Sequence, residues 1–291
     1  MQFLRQRIED QIHAVTGLDS SPVDFTVPPG DPGLFGPDSA VWIVHSDFTS
    51  MLIGGVAALY LQMLDPRVLA GVWDHSNFRQ DLHGRLARTA QFISAVSYGG
   101  REQAEQFIAR VRRLHERVRG HLPDGTPYDA NDPELLAWVH HSQAYSFLRA
   151  HLRYRRPDLA GEIQDRYIRE YRVVAQALGA DAGLAWDRET LQQCMDRHRA
   201  LVVVDERTRE VARILRQSAD QFKGPKALAG RIFMASALDL LPPWAQACFE
   251  HEPSGLEQRW RLAAVSTMAQ GLRWATRNGS MHRARRRMGL S

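Results

Sequence analysis

The sequence Arg85-Leu86-Ala87-Arg88-Thr89-Ala90-Gln91-Phe92-Ile93 decides the reading of this chain, together with Val111-Arg112-Arg113-Leu114-His115-Glu116-Arg117-Val118 beyond the Tyr98-Gly99-Gly100 break. Arg85, Arg88 and Thr89 stand at i, i+3 and i+4, so a helix places all three on one face, continued by Phe92. A second helix is expected from about Arg101 to Arg119, with Ile108, Val111 and Val118 at helical spacing and His115 in the same stripe. A histidine in an apolar stripe, set against a helix carrying two arginines and a threonine, could hold a metal cofactor and act on its open side. Each feature also has a plainer reading. A lone histidine on an apolar face is commonly a hydrogen-bonded core residue. The two arginines could be exposed, or paired with an acid such as Asp81.

Working outward, the chain reads as helices throughout. Upstream, Leu4, Ile8, Ile12 and Val15 give a short first helix ending near Gly17. Residues 21–37 hold five prolines and three glycines, too many breakers for regular structure, and form an irregular arm that wraps a core or lines an entrance. Asp38 or Ser39 can cap a short helix bearing Trp42, and His45 at its end is expected at the surface or as a cap. An apolar helix follows from Asp47 to Leu64, with Gly54-Gly55 admitting either a neighbouring helix or a flat ligand. Asp65-Pro66 starts the next helix as cap and first residue. Trp73 to Phe78 is expected as a polar turn, with His75 and His83 as solvated histidines.

Downstream, Pro123-Asp124-Gly125-Thr126 is a turn and Asp132-Pro133 a helix start. That helix carries Trp138, His140, His141, Tyr145 and Phe147. His140 and His141 point about 100° apart and are not expected to share one ion. Ile163, Tyr167, Tyr171, Val174 and Leu178 mark another helix, and helical patterns follow near 187–203, 206–222, 225–241 and 256–277. Val202-Val203-Val204 is the one strand-like run, and a single strand makes no sheet. The tail Arg283-Ala284-Arg285-Arg286-Arg287 is expected to be frayed and solvated.

The composition is that of a soluble globular protein: 44% hydrophobic and 24% charged over 291 residues,. Net charge is +4, and Lys223 and Lys226 are the only lysines, consistent with a codon-composition effect. The basic excess is small and scattered, which argues against nucleic acid as a partner. Cys194 and Cys248 have no metal-type spacing and are expected as two thiols in a reducing cytoplasm. No signal-peptide pattern opens the sequence. The longest apolar stretch, Met51 to Leu64, contains glycines and is too short for a membrane span. No Gly-x-Ser-x-Gly elbow, Walker loop, dinucleotide fingerprint, His-Glu-x-x-His or Cys-x-x-Cys-His is present.

Taken in order, Arg85-x-x-Arg88-Thr89, Tyr98-Gly99, Val111-x-x-x-His115-x-x-Val118-x-Gly120, Gly125-x-x-Tyr128-x-Ala130-x-Asp132-Pro133 and Trp138-Val139-His140 resemble one family. It is the oxygenase family that contains the rubber-cleaving latex-clearing proteins and the fungal side-chain oxygenase of mycophenolic acid synthesis. Gly30 to Trp42 is similar to its opening segment, and Gly71-Val72 with His75-Ser76-x-Phe78 to the stretch before the arginine helix. The resemblance covers nearly the whole chain. It implies an all-α fold with a globin-like core, haem b, and dioxygen-dependent oxidation or oxidative cleavage of an unsaturated apolar small molecule.

By motif, His115 corresponds to the proximal iron ligand, and Arg85, Arg88 and Thr89 to the residues on the distal side. Relatives often have a histidine where Asp65 stands. In latex-clearing relatives a lysine stands at the position of Arg88. A lysine amine can deprotonate and ligate iron, whereas a guanidinium stays protonated, so Arg88 is expected to donate hydrogen bonds to dioxygen instead. Thr89 could relay a proton. Arg85 could fix the distal network or a haem propionate, and Arg119, one turn beyond the histidine, could bind a propionate as Arg112 and Arg113 could. The arginine in place of lysine, with no secretion signal, points away from rubber and towards a cytoplasmic small molecule.

The chain is thus expected to be one all-α domain: helix and arm over residues 1–37, a helical core over 38–280 and a basic tail over 281–291. The alternatives are a haem-binding sensor or carrier without turnover, and a haem-free helical scaffold.

Overall fold

The computed structural model describes residues 9, 23–180 and 183–290, so the expected helix built on Leu4, Ile8, Ile12 and Val15 lies outside the described residues. The elements run α1 (Ala40–His45), α2 (Phe48–Gln62), α3 (Pro66–His75), α4 (Leu82–Tyr98), α5 (Arg101–His115), β1 (Arg119–His121), β2 (Pro127–Asp129), α6 (Pro133–Tyr154) and α7 (Gly161–Leu178). They continue with α8 (Arg188–His198), a 3₁₀ turn (Arg199–Leu201), α9 (Glu206–Gln217), α10 (Pro225–Leu238), α11 (Pro243–Cys248), α12 (Gly255–Ala275) and α13 (Ser280–Arg287). The protein is a single all-α domain with one small antiparallel ribbon, in which Arg119 pairs with Asp129, Gly120 with Tyr128 and His121 with Pro127.

Helices α2 and α6 form the axis of the core and pack along each other more extensively than any other pair of elements. Both are apolar around most of their circumference, as central helices must be. Gly54 makes the close approach possible: a Cβ there would lie 3.0 Å from Phe147 Cδ1 and 3.0 Å from Ser146 O. Both ends of α2 are secured. Asp47 caps its start by accepting from Ser50 N at 3.0 Å, and also receives Arg273 Nε of α12 at 2.6 Å. The same guanidinium donates to Tyr154 O at the end of α6, so one arginine ties three helices. Asp65, fully buried, caps α3 with Pro66 as its first residue, and accepts from Arg67 N at 2.8 Å,. His198 Nε2 stands 3.0 Å from it while its ring stacks flat on Trp138.

Four expectations change. His45 is buried, not superficial: Nδ1 meets Ser97 Oγ at 2.8 Å and Nε2 meets Tyr167 OH at 3.0 Å. Trp73, Asp74 and His75 belong to α3, and the turn begins at Ser76. The valine run forms no strand, although Val203 N donates to Leu64 O. The basic tail is not frayed, because Arg287 is buried on α13 and donates to Asp31 O, Phe25 O, Tyr98 O and Gly99 O. That single guanidinium fastens the Pro/Gly-rich arm to the α4–α5 corner. Gly33 of the arm lies so close that a Cβ would collide with Gly99 O, and its φ of +72° suits glycine,.

Among the described residues no single helix is long and apolar enough to cross a membrane. The α2–α3 pair that reaches that length is bent by 105°.

Candidate functional site

Helices α4 and α5 meet at Gly99-Gly100, and each is packed well only near that corner. In α4 the buried residues are Ile93, Ala95, Val96, Ser97 and Tyr98; in α5 they are Ala104 and Ile108. The remainder of both helices is half-buried or exposed, including the apolar Leu86, Phe92 and Val111. Arg85, Arg88, Thr89 and His115 all lie on these loosely packed outer parts. Arg85 and His115 are each roughly 20 Å along their helix from the corner.

Arg85 is the most enclosed of the four. It lines an apolar cleft with Val72, Phe78, Leu82, Val211 and Leu215, beneath Leu59 and Met63 of α2. The cleft encloses about 20 Å³, room for about one water. Nη1 of Arg85 donates to Ser76 Oγ at 2.7 Å, and no carboxylate pairs with it among the described residues. Burial, with Arg88 nearby, lowers its pKa to about 10. It stays a cation at neutral pH, but one whose charge is poorly compensated.

Arg88 and Thr89 are exposed. Nη1 of Arg88 is 3.5 Å from Asp81 Oδ2 and Nη2 is 3.5 Å from Asn77 Oδ1. An exposed pair of that length contributes about 1 kcal/mol at most, so Arg88 can turn to another acceptor at little cost. Thr89 Oγ1 donates back to Arg85 O at 3.1 Å. The plainer expectation, Arg88 paired with Asp81, therefore describes its position here.

His115 is the last residue of α5, which stops four residues short of the expected Arg119. Arg119 lies in β1, not one turn further along a helix, and its side chain is exposed. The helix ends because the chain turns into the ribbon: Val118 N donates to His115 O and Ala130 N to Val118 O. Nδ1 of His115 is buried and has no hydrogen-bond partner. Burial lowers the imidazole's pKa, opposed by the nearby Asp129 carboxylate, so the ring is neutral at pH 7. Asn131 lies alongside, reaching Arg112 O at 3.5 Å through Nδ2, while its Oδ1 is buried and unpartnered.

The two outer ends converge on one short stretch of chain. Arg85 holds Ser76, the cap of α3, and Val118 lies against Gly71, where a Cβ would be 3.2 Å from it. Tyr128 of β2 donates to Asp74 Oδ2 at 2.8 Å, with His75 Nε2 at 3.2 Å. Gly71 and Ser76 are about 7 Å apart along a helix axis. Arg85 and Val118, three residues beyond the histidine, therefore flank the C-terminal half of α3. No direct contact joins His115 to Arg85, Arg88 or Thr89 among the described residues.

Residues 42–290 match the family model described as ER-bound oxygenase mpaB/B'/rubber oxygenase, catalytic domain. The chain belongs to this family. The match takes in every residue of the cleft and both ends of the α4–α5 pair. No curated protein and no solved structure matches the chain.

His151 escaped the sequence reading, which named His45, His140 and His141 but did not foresee their burial. His45, His140, His141 and His151 are all buried. His141 Nε2 accepts from Ala185 N, and the rings of His140 and His141 are 6.1 Å apart without sharing a partner. A signal was present for two of them: His140, Ala144, Phe147 and His151 fall on one helical stripe. Among the described residues no three His, Cys, Asp or Glu side chains are grouped to hold a metal ion. Cys194 and Cys248 are both free thiols.

Proposed function

We propose that this member of the oxygenase family uses haem b and dioxygen to oxidise, or oxidatively cleave, an unsaturated apolar small molecule. The observation that carries the reading is His115, a neutral imidazole with a buried, unpartnered nitrogen inside the matched domain. A buried nitrogen without a partner costs about 1–3 kcal/mol, and coordination to iron removes that cost. A solitary imidazole does not chelate a bare ion, but it suffices for iron whose other ligands come from a macrocycle. When bound, haem supplies the redox chemistry that activates dioxygen.

The chain's own residues then have separable roles. His115 would ligate, and Asp129, whose charge it feels, is the candidate acceptor to orient its ring,. Arg85 brings a poorly compensated positive charge to the apolar cleft, suited to a propionate or to an oxygen atom gaining negative charge,. Arg88 is held loosely enough to turn inward and donate to the same atoms, and as a guanidinium it does not compete as a ligand. Thr89 Oγ1 can hand on a proton one helical turn from Arg85. Leu59, Met63, Val72 and Phe78 exclude water and favour an apolar substrate,. The exposed Arg119 is the weakest candidate for a propionate partner, with Arg112 and Arg113 similarly exposed.

The test is the absorption spectrum of protein produced with added haem precursor, beside His115→Ala. A Soret band lost or shifted in the variant is expected, followed by oxygen uptake with unsaturated apolar substrates. An equally strong, unshifted band in His115→Ala would place the ligand elsewhere. A stable oxygen adduct with no product from any such substrate would indicate a carrier instead.

A further inference from the structure

A second pocket opens at the opposite end of α6, roughly 30 Å along that helix from the Asp132 cap beside the His115 region. It has a volume of about 280 Å³. Trp42 and Met281 give its lining apolar surface, and Arg155, Arg156 and Arg285 line it with guanidinium groups. Arg155 and Arg156 are exposed, and neither forms an ion pair among the described residues. The nearest buried acid, Asp47, is already taken by Arg273 and Ser50. Two arginines at a helix C-terminus are by themselves an ordinary response to the helix dipole.

His151 makes the pocket more than that. It lines the cavity and is 1% exposed, yet Nε2 has no partner. Nδ1 lies 3.1 Å from Val44 O. A carbonyl only accepts, so Nδ1 carries the proton and Nε2 of the neutral ring is a bare acceptor. Burial pushes this histidine's pKa down to about 4, which keeps the ring in that form. The pocket therefore combines guanidinium donors for an anion with one imidazole acceptor that no described residue satisfies.

We propose that this pocket binds a phosphate monoester, with Arg155 and Arg156 donating to phosphate oxygens, His151 Nε2 accepting from the P–OH, and the organic part resting on Trp42 and Met281. A phosphate monoester has its second pKa near 6 and carries that hydrogen readily. A sulfate ester has the same shape but no hydrogen, and would leave Nε2 unsatisfied. The monoester could be a soluble metabolite or the headgroup of a lipid such as phosphatidic acid.

Calorimetric titration of the full chain at pH 6 with phenyl phosphate and with phenyl sulfate tests this without reference to haem. The expected result is saturable phenyl phosphate binding, at least about tenfold tighter than phenyl sulfate. R155Q/R156Q, altered only at exposed positions, should weaken phosphate binding at least about tenfold. His151→Asn should reduce the preference for phosphate over sulfate. Sedimentation with phosphatidic acid vesicles, beside phosphatidylcholine vesicles, separates the sources. Arginine-dependent binding to the acidic vesicles assigns a lipid headgroup, and binding of phenyl phosphate alone assigns a soluble monoester. No binding of either probe up to about 10 mM, equal affinity for phosphate and sulfate, or affinities unchanged in R155Q/R156Q would overturn the proposal.

Discussion

At Arg85 the demands of the fold and of the proposed role fall on a single side chain and can be separated. Its guanidinium sits in an apolar cleft with a serine hydroxyl as partner and no carboxylate. Burying a cation on those terms does little for the fold. Arg85→Met should therefore leave the melting transition of the haem-free protein within about 1 kcal/mol of wild type, or raise it. Turnover of the haem-loaded enzyme should fall at least about tenfold. Thermal melts and oxygen uptake read the two effects independently, and a large loss of stability would show the residue to be structural. Helical spacing put Arg85 on one face with Arg88 and Thr89, and the family resemblance alone implied a role for that face. Neither could disclose that Arg85 alone turns inward, since that depends on where α9 packs. His45 was misread for a related reason: its partners, Ser97 and Tyr167, are 52 and 122 residues distant.

Helices α4 and α5 are anchored at their corner and loose at their outer ends. Amide hydrogen exchange should accordingly be faster over Leu82–Phe92 than over Ile93–Tyr98. A macrocycle does not fit a cleft of about 20 Å³, so the haem proposed above would require α4 and α9 to separate, and exchange over Leu82–Phe92 should then slow when haem is bound. Unchanged exchange on loading would move the cofactor away from this face. The α2–α6 contact is different, because it has no slack. Gly54→Ala forces a Cβ against Phe147 and Ser146 O, and should cost about 1–3 kcal/mol,. Gly55→Ala meets only Phe147 at 3.9 Å and should be neutral or stabilising by up to about 1 kcal/mol. Paired denaturation curves decide between close packing and ligand access as the purpose of these glycines. Helix starts were legible at Asp65-Pro66 and Asp132-Pro133, where an aspartate cap precedes a first-position proline,. The end of α5 was not, because the ribbon that stops it relies on pairing between Arg119 and Asp129.

Across the molecule, four buried histidines among the described residues have strongly lowered pKa values: His45 and His140 at about 3, His141 and His151 at about 4. Burial is the main cause at each. Unfolded, all four would titrate near 6.5. Above that pH both states are neutral and stability is unaffected. As pH falls from 6.5 towards 4 the unfolded chain takes up protons that the folded chain refuses. Each such histidine then removes about 1.4 kcal/mol per pH unit. The lowered carboxylates Asp47, Asp65 and Asp239 contribute their losses below this window, since their unfolded value is near 3.8. Denaturant midpoints should drop steeply between pH 6 and 4, and His140→Phe should flatten that slope. A midpoint that holds steady until pH 4 would mean that these rings are charged in the folded protein.

Arg287 also sets a timetable for the arm. The carbonyl of Asp31 is made early and its donor 256 residues later. At about 5–20 residues per second, a ribosome needs on the order of 10 to 50 s to cover that separation. Arg101 N, 70 residues on, can already reach Asp31 Oδ2, but the arm carbonyls of Phe25 and Asp31 wait through that interval for their guanidinium. In the cell those carbonyls are therefore open to a binding chaperone or a protease for that time, and they are satisfied only once Arg287 is made.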